Sequence, residues 1–114
     1  NKCESEGQAY LEVIKEFSRI IKPGGRVYIS VPYGMPINRG WFQVFNHQML
    51  DQIEEVFKPK SSNKTYFKYS NEQWNFAVES ECREGECFDL LSGDRFTDDF
   101  LAFSRCVVCL ELEK

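Results

Sequence analysis

Several features that mark other protein classes are missing from this 114-residue sequence. No apolar run approaches the roughly 20 residues that a membrane-spanning helix needs. The first seven residues, Asn1 to Gly7, are polar and acidic, unlike a signal peptide. Positive charge is not in excess, since 14 Lys and Arg stand against 18 Asp and Glu and the net charge is -4. We therefore predict a cytoplasmic protein whose main partner is neither nucleic acid nor a membrane.

Apolar material is plentiful, because hydrophobic residues make up 42% of the chain and aromatic residues 15%. That is enough for a packed core. Tyr10 to Ile21 carries apolar side chains at helical spacing and is followed by Pro23-Gly24-Gly25, which predicts a helix and its end. Arg26 to Val31 is rich in β-branched and aromatic residues, as strands are. A helix, a tight turn and a strand in this order predict an α/β fold, with residues 1–114 as a single domain.

The rest of the chain predicts one more helix and further strands. Pro32 to Phe45 is predicted as a loop with aromatic anchors, and Asn46 as the N-cap of a helix over His47–Phe57. Three more segments are predicted as strands: Thr65–Tyr69, Trp74–Val78 and Arg105–Glu113. Ser70 to Gln73 is predicted as the turn between the first two. The last of these is expected at the centre of a sheet, because both of its faces are apolar near its start. One acidic stretch is predicted to be solvated surface, at Glu79, Glu81, Glu84 and Glu86.

Three segments resemble one family. Ile20 to Pro32 reads IIKPGGRVYISVP and resembles the link between helix D and strand 5 of class I, Rossmann-like, S-adenosylmethionine-dependent methyltransferases. Trp41 to Phe57 is similar to the loop and helix after that strand. Cys106 to Glu113 is similar to the final strand of bacterial methyltransferase-like proteins, some of them encoded near glycan-synthesis genes. The resemblance covers most of the chain, and Ser61 to Phe103 matches only weakly.

The resemblance implies a partial Rossmann-like methyltransferase fold, with a small mixed sheet of strand order 5-7-6 and helices on both faces. The last strand of that sheet runs antiparallel between the other two. In this chain Arg26–Val31 would then be an edge strand and Arg105–Glu113 the central one. One or both of Thr65–Tyr69 and Trp74–Val78 would lie on the other side. An apolar edge strand tends to pair with another chain. We therefore expect a homodimer, or a complex with an N-terminal half, through Arg26–Val31.

In the family that this chain resembles, S-adenosylmethionine lies on a Gly-rich loop after the first strand. This sequence has no G-x-G-x-G and no predicted strand before its first helix, so no cofactor-binding residue is assigned and no binding is expected by this chain alone. The expectation is the C-terminal half of a methyltransferase, either as a fragment or as a natural remnant. Two functions stay open. One is the substrate-side half of an enzyme, and the other is a non-catalytic binding or assembly module that acts as a homo-oligomer.

Ligands of doubly wound folds bind beyond the carboxyl ends of the parallel strands. Here that edge begins at Pro32, so the candidate substrate-binding residues are Tyr33, Arg39, Trp41, Asn46 and His47. Arg39 could pair with an anionic acceptor, and Trp41 could stack on a sugar or another ring, as a glycan-like acceptor would offer. His47 is the only histidine. It is either a general base or an exposed residue of the first helical turn, and no catalytic residue is assigned.

The five cysteines are Cys3, Cys82, Cys87, Cys106 and Cys109. Cys82 and Cys87 with Cys106 and Cys109 could supply four thiolates to zinc. However, residues three apart on a strand point to opposite faces, so Cys106 and Cys109 could not share one ion without a bulge. We therefore assign no metal site and expect reduced thiols, with a Cys82–Cys87 disulfide as the alternative under oxidation.

Overall fold

The structure, a computed structural model, describes residues 9–35, 37–38, 43–83 and 104–114. Three helices are present, α1 (Ala9–Ile20), α2 (His47–Phe57) and α3 (Glu79–Cys82). The strands are β1 (Arg26–Pro32), β2 (Ile37–Asn38), β3 (Gln43–Val44), β4 (Ser61–Ser70), β5 (Gln73–Ala77) and β6 (Cys106–Glu113). This confirms a mixed α/β chain. Within these residues, no helix has the length and apolar character needed to cross a membrane.

Four strands form one sheet in the order β1-β6-β4-β5, and β2 pairs with β3 in a second, two-stranded sheet. The hydrogen bonds give the direction of β6 relative to β1. The Gly24 N–H donates to Lys114 O over 2.7 Å, and the Tyr33 N–H donates to Cys106 O over 3.0 Å, so the two strands are antiparallel. β1 therefore lies at one edge and β6 inside the sheet, which is the placement predicted for these two strands.

The direction of β6 is also as predicted, because β6 is antiparallel to β4 as well: the Lys60 N–H donates to Glu113 O and the Tyr69 N–H donates to Arg105 O. One finer expectation about the sheet is not met. β4 is antiparallel to β5 too, so every described pair of neighbouring strands is antiparallel, unlike the mixed sheet predicted or the parallel sheet of a Rossmann fold. A two-residue turn joins β4 to β5, and only antiparallel strands can be joined by so short a turn.

The chain divides into two compact units. The first takes in Asn1–Ile29, His47–Asn63 and Leu110–Lys114. In it α1 packs against α2, and the Tyr10 hydroxyl donates to Gln52 Oε1 over 2.8 Å. The buried side chains of these two helices are Ile14, Leu50, Ile53 and Phe57.

Side chains along β6 alternate between buried and half-buried, so one face of this strand is well covered. Cys106, Val108, Leu110 and Leu112 are buried, whereas the residues between them are half-buried. On β1, Val27 is buried while Tyr28 is 71% exposed. The apolar stripe predicted for the first helix is narrower in the structure, since Val13 and Ile20 are exposed.

The second unit takes in Ser30–Asn46 and Lys64–Cys109. Its main feature is the β4–β5 hairpin, in which Ser70 pairs with Gln73. The two turn residues, Asn71 and Glu72, have φ angles of 52° and 62°. Positive φ at both positions is the type I′ geometry that matches the twist of a hairpin. The predicted turn between two strands is therefore confirmed.

The segment predicted as a loop with aromatic anchors, Pro32 to Phe45, contains the short antiparallel strands β2 and β3. Ile37 pairs with Val44 and Asn38 with Gln43. Strands of two residues are too short to show an alternating apolar pattern, so they could not be predicted from sequence periodicity.

Gly24 and Gly25 make the turn from α1 into β1. Substitutions there should separate the stability cost of an unfavourable backbone conformation from that of a steric clash. Gly24 has a φ of +86° and open space where a Cβ would lie, so Gly24→Ala should cost about 1–2 kcal/mol of stability from backbone conformation only. Gly24→Asn should cost less, since Asn tolerates left-handed φ.

At Gly25 the expected cost comes from a clash. A Cβ would lie 2.7 Å from Ile21 Cγ2 and 3.0 Å from Lys22 O, so Gly25→Ala should cost about 1–3 kcal/mol through overpacking. Urea unfolding of the three variants measures these differences. Equal loss from Gly24→Ala and Gly24→Asn would contradict the conformational explanation.

Candidate functional site

The carboxyl end of β1 is closed by a return of the chain. Tyr33 forms a parallel β-bridge with Phe45. The Gly34 N–H donates to Phe45 O over 3.0 Å, and the Phe45 N–H donates to Pro32 O over 2.9 Å. On its other side, the Tyr33 N–H donates to Cys106 O of β6. The segment between Gly34 and Phe45 is therefore fixed at both ends to the last residues of β1.

Tyr33 is the centre of a small group of polar and aromatic side chains, Tyr33, Tyr66, Glu79 and Arg83, which we name the Tyr33 cluster. The Tyr33 side chain is only 1% exposed, and its hydroxyl donates to Glu79 Oε2 over 2.8 Å. The ring of Tyr66 meets that of Tyr33 edge to face, with 5.1 Å between the ring centres. A hydroxyl this deeply buried needs a partner, and Glu79 provides it.

Burial makes both tyrosines harder to ionise. Burial, helped by the hydrogen bond to Glu79, raises the pKa of Tyr33 far above its usual value, and burial also raises the pKa of Tyr66. Both phenols therefore stay neutral to a higher pH than a free tyrosine. Tyr33 is a hydrogen-bond donor to the Glu79 carboxylate, and at 1% exposure it has almost no contact with solvent.

A second residue, Arg83, also fixes the Glu79 carboxylate. Arg83 directly follows α3, four residues after Glu79, and its Nε donates to both carboxylate oxygens of Glu79 over 3.2 Å. This is the usual helical i,i+4 pairing of opposite charges. The Glu79 side chain is 25% exposed, so the cluster runs from the buried Tyr33 ring outward to a partly solvated carboxylate.

This role of Glu79 was not predicted. Glu79 was predicted to be solvated surface, and the structure corrects this because its carboxylate accepts a hydrogen bond from a buried hydroxyl. The available signal was the spacing of Glu79 and Arg83, which predicts an ion pair on a helical turn. Nothing in the sequence indicated that Tyr33, 46 residues earlier, would lie beside it.

The five residues predicted to bind substrate have different positions. Tyr33 is buried as described. Asn46 is half-buried and directly precedes α2, as the predicted N-cap should, and His47 is the exposed first residue of α2. Arg39 and Trp41 lie outside the described residues. Asn46 directly follows Phe45, the bridge partner of Tyr33.

The cysteines follow the predicted alternation. Cys106 is buried, while Cys109 is half-buried on the opposite face and lies 3.3 Å from Ser30 Oγ. Cys82 is fully buried, and burial raises the pKa of its thiol. Within the described ranges no group of three or more His, Cys, Asp or Glu side chains is arranged to hold a metal ion. Cys3 and Cys87 lie outside those ranges.

The one glycine pair near a strand does not fit a cofactor. A nucleotide-binding loop needs backbone N–H groups that point at its ligand. Here the Gly24 N–H donates to Lys114 O and the Gly25 N–H donates to Lys22 O over 2.8 Å. Both donors are used inside the fold, so this turn ends a helix and does not fit S-adenosylmethionine.

The Tyr33 cluster is a structural anchor that holds the carboxyl end of β1 and the start of the segment after it. Its buried phenol cannot reach a substrate, and its carboxylate is neutralised by Arg83. Comparison with protein family models, with curated proteins and with solved structures finds no match to this chain.

Proposed function

We propose that this chain is the substrate-side half of an S-adenosylmethionine-dependent methyltransferase. The observation that carries the proposal is the placement of β6 between β1 and β4 and antiparallel to both. This arrangement supports the proposal because it agrees with the order 5-7-6, with an antiparallel last strand, that the resemblance implies. The helix, Pro-Gly-Gly turn and strand at the start of the chain support it too, since Gly24 takes the left-handed φ that this turn needs.

The anchored segment after β1 is the proposed acceptor side. Its two ends are joined by the Tyr33–Phe45 bridge, and Tyr33 is locked by Glu79. Arg39 and Trp41 fall between those ends in the sequence. A rigid frame favours binding by the residues that it carries, because less freedom is lost when a ligand is held. Arg39 would bind an anionic group and Trp41 would stack on a ring, as in a glycan-like acceptor.

The cofactor would be held by residues outside these 114, because the described glycine turn does not fit it. β1 is the last described strand on its side of the sheet, and Tyr28 on it is 71% exposed. We propose that a cofactor-binding half pairs with β1, where a second copy is the alternative partner. A cytoplasmic location stays a prediction.

A non-catalytic binding or assembly module is the second candidate. The observation that favours it is the exposure of two large aromatic side chains on β5, Trp74 and Phe76. Such a module would use the same sheet to hold other chains, and it would bind no methyl donor.

The coding sequence upstream of the Asn1 codon separates the two candidates. An enzyme half predicts an in-frame G-x-G-x-G after a strand-like segment. The protein encoded by the longer reading frame should then bind S-adenosylmethionine in calorimetric titration, whereas residues 1–114 should give no heat of binding. Arg39→Ala in the longer protein should leave this cofactor affinity unchanged, which serves as the matched control.

Two results would overturn the enzyme proposal. One is a longer protein that is folded and binds no S-adenosylmethionine. The other is binding by residues 1–114, which would place a cofactor site where the glycine turn has no free donors. A start codon directly before Asn1, with no methyl donor bound, would support the module.

A further inference from the structure

The outer strand of the hairpin, β5, exposes its largest side chains. Phe76 is 81% exposed and Trp74 45% exposed, and both lie on the same face because they are two residues apart on a strand. Among the described strands β5 is the last on its side of the sheet. We name Trp74 and Phe76 the aromatic edge.

The aromatic edge lacks the usual protection of an edge strand. Edge strands are normally blunted by charged residues or by proline. β5 reads QWNFA and contains neither. Every position of this strand is neutral, so a second copy could approach it without bringing like charges together, although the chain as a whole carries a net charge of -4.

The hairpin register determines which backbone groups of β5 face outward. Across a two-residue turn, Ser70 and Gln73 form the first hydrogen-bonded pair. Hydrogen-bonded and non-hydrogen-bonded pairs then alternate, so Gln73, Asn75 and Ala77 turn their N–H and C=O groups toward β4. The backbone groups of Trp74 and Phe76 therefore point away from the hairpin.

We propose that this surface binds a second copy of the same chain, by antiparallel pairing of β5 with β5 about a two-fold axis at Asn75. In that register the outward groups of Trp74 meet those of Phe76 in the other copy, which gives four backbone hydrogen bonds. Both copies place their aromatic edges on one face, so each Trp74 ring lies across from a Phe76 ring. A two-fold contact of this kind closes on itself and produces a dimer, with no further growth.

The rings are already ordered in the single chain. Phe76 packs on Phe67 with 5.1 Å between ring centres, and Trp74 meets Tyr69 at 5.4 Å. Arg105 lies over the Tyr69 ring at 5.8 Å. Dimerisation would extend these two pairs into one aromatic cluster at little entropic cost. Because only one short strand from each copy takes part, the contact is smaller than a standard interface, and we expect a dimer that dissociates at micromolar concentration.

Sedimentation of the whole chain over a range of concentrations tests the proposal. The wild type should pass from monomer to dimer as concentration rises. Phe76→Lys should stay monomeric at concentrations where the wild type is dimeric, because it puts a charge in the contact. Two controls should dimerise like the wild type: Ile20→Lys, at a 61% exposed position of α1, and Tyr28→Lys on β1.

A wild-type monomer at all concentrations would overturn the proposal. So would loss of the dimer in Tyr28→Lys with retention in Phe76→Lys, which would place the contact on β1. That second result would leave the proposed methyltransferase function untouched, since the function is tested by methyl-donor binding.

A cross-linking measurement checks the register even if Phe76→Lys folds poorly. Residues facing each other at a non-hydrogen-bonded antiparallel pair have Cα atoms about 4.5 Å apart, within the range of disulfides. Asn75→Cys should thus form a disulfide-linked dimer on mild oxidation. Gln73→Cys should remain at the wild-type background, because the two copies of position 73 would be roughly 13 Å apart along the strands. Equal cross-linking at both positions would reject the two-fold at Asn75.

Discussion

Tyr33→Ala is expected to lower the free energy of unfolding by about 3–5 kcal/mol, the usual loss when a large aromatic ring is removed from a core. The ring is 1% exposed and packs on Tyr66. Its removal leaves a cavity and also leaves Glu79 without the hydroxyl that it accepts from. Urea unfolding at low protein concentration, where dimerisation does not contribute, measures the change.

Two further variants divide this loss into parts. Tyr33→Phe keeps the ring and removes only the hydroxyl, so it should cost about 1–3 kcal/mol, the value for a buried hydrogen bond to a charged group. Tyr28→Ala removes the same side chain from a position that is 71% exposed, and it should cost little. If Tyr28→Ala and Tyr33→Ala were equally destabilising, Tyr33 would not be the anchor that the structure indicates.

Stability is also expected to fall steeply at alkaline pH, and Tyr33 should account for part of the fall. The ordinary pKa of a tyrosine is 10.0, and that of Tyr33 is raised in the folded chain. Above pH 10 the unfolded chain therefore releases the Tyr33 proton while the folded chain retains it. Because the unfolded state then binds fewer protons, raising the pH favours unfolding. The stabilisation is complete below pH 10 and is lost as pH rises toward the folded pKa.

The contribution of Tyr33 to this pH dependence can be measured by comparing the wild type with Tyr33→Phe. Each tyrosine that ionises only on unfolding contributes about 1.4 kcal/mol per pH unit. Between about pH 10 and pH 11, the free energy of unfolding of the wild type should therefore fall faster than that of Tyr33→Phe, by an amount approaching that value. Titratable groups that do not contact Tyr33 contribute equally in both proteins and cancel. Parallel profiles would mean that Tyr33 ionises freely in the folded chain.

The sequence predicted most of the regular elements because each has a strong local signal. The first helix ends at Pro23-Gly24-Gly25, and the structure ends α1 at Ile20, within one residue of the prediction. The hairpin turn at Asn71 and Glu72 was also expected. The antiparallel pairing of all described neighbours was not, because local periodicity does not determine which strands become neighbours.

The candidate site was less predictable. Tyr33 was correctly selected as a residue of interest at the end of β1, but a sequence does not show whether an aromatic residue at a strand end faces solvent or core. Its partner Glu79 belongs to an acidic stretch whose other members favour a surface interpretation. Long-range pairs such as Tyr33 with Glu79 are set by the tertiary fold, and no spacing rule predicts them.

The central position of β6 has a consequence for how the protein is made. β1 and β4 both form hydrogen bonds with β6, and the ion pair of Arg26 with Glu111 joins residues 85 apart in sequence. A ribosome-bound chain that has reached residue 105 therefore holds two strands whose common partner has not yet been synthesised. We expect the β4–β5 hairpin to be able to form before then, whereas the four-stranded sheet forms slowly and only after residues 106–113 have left the exit tunnel, because contacts this distant must form before the sheet is stable.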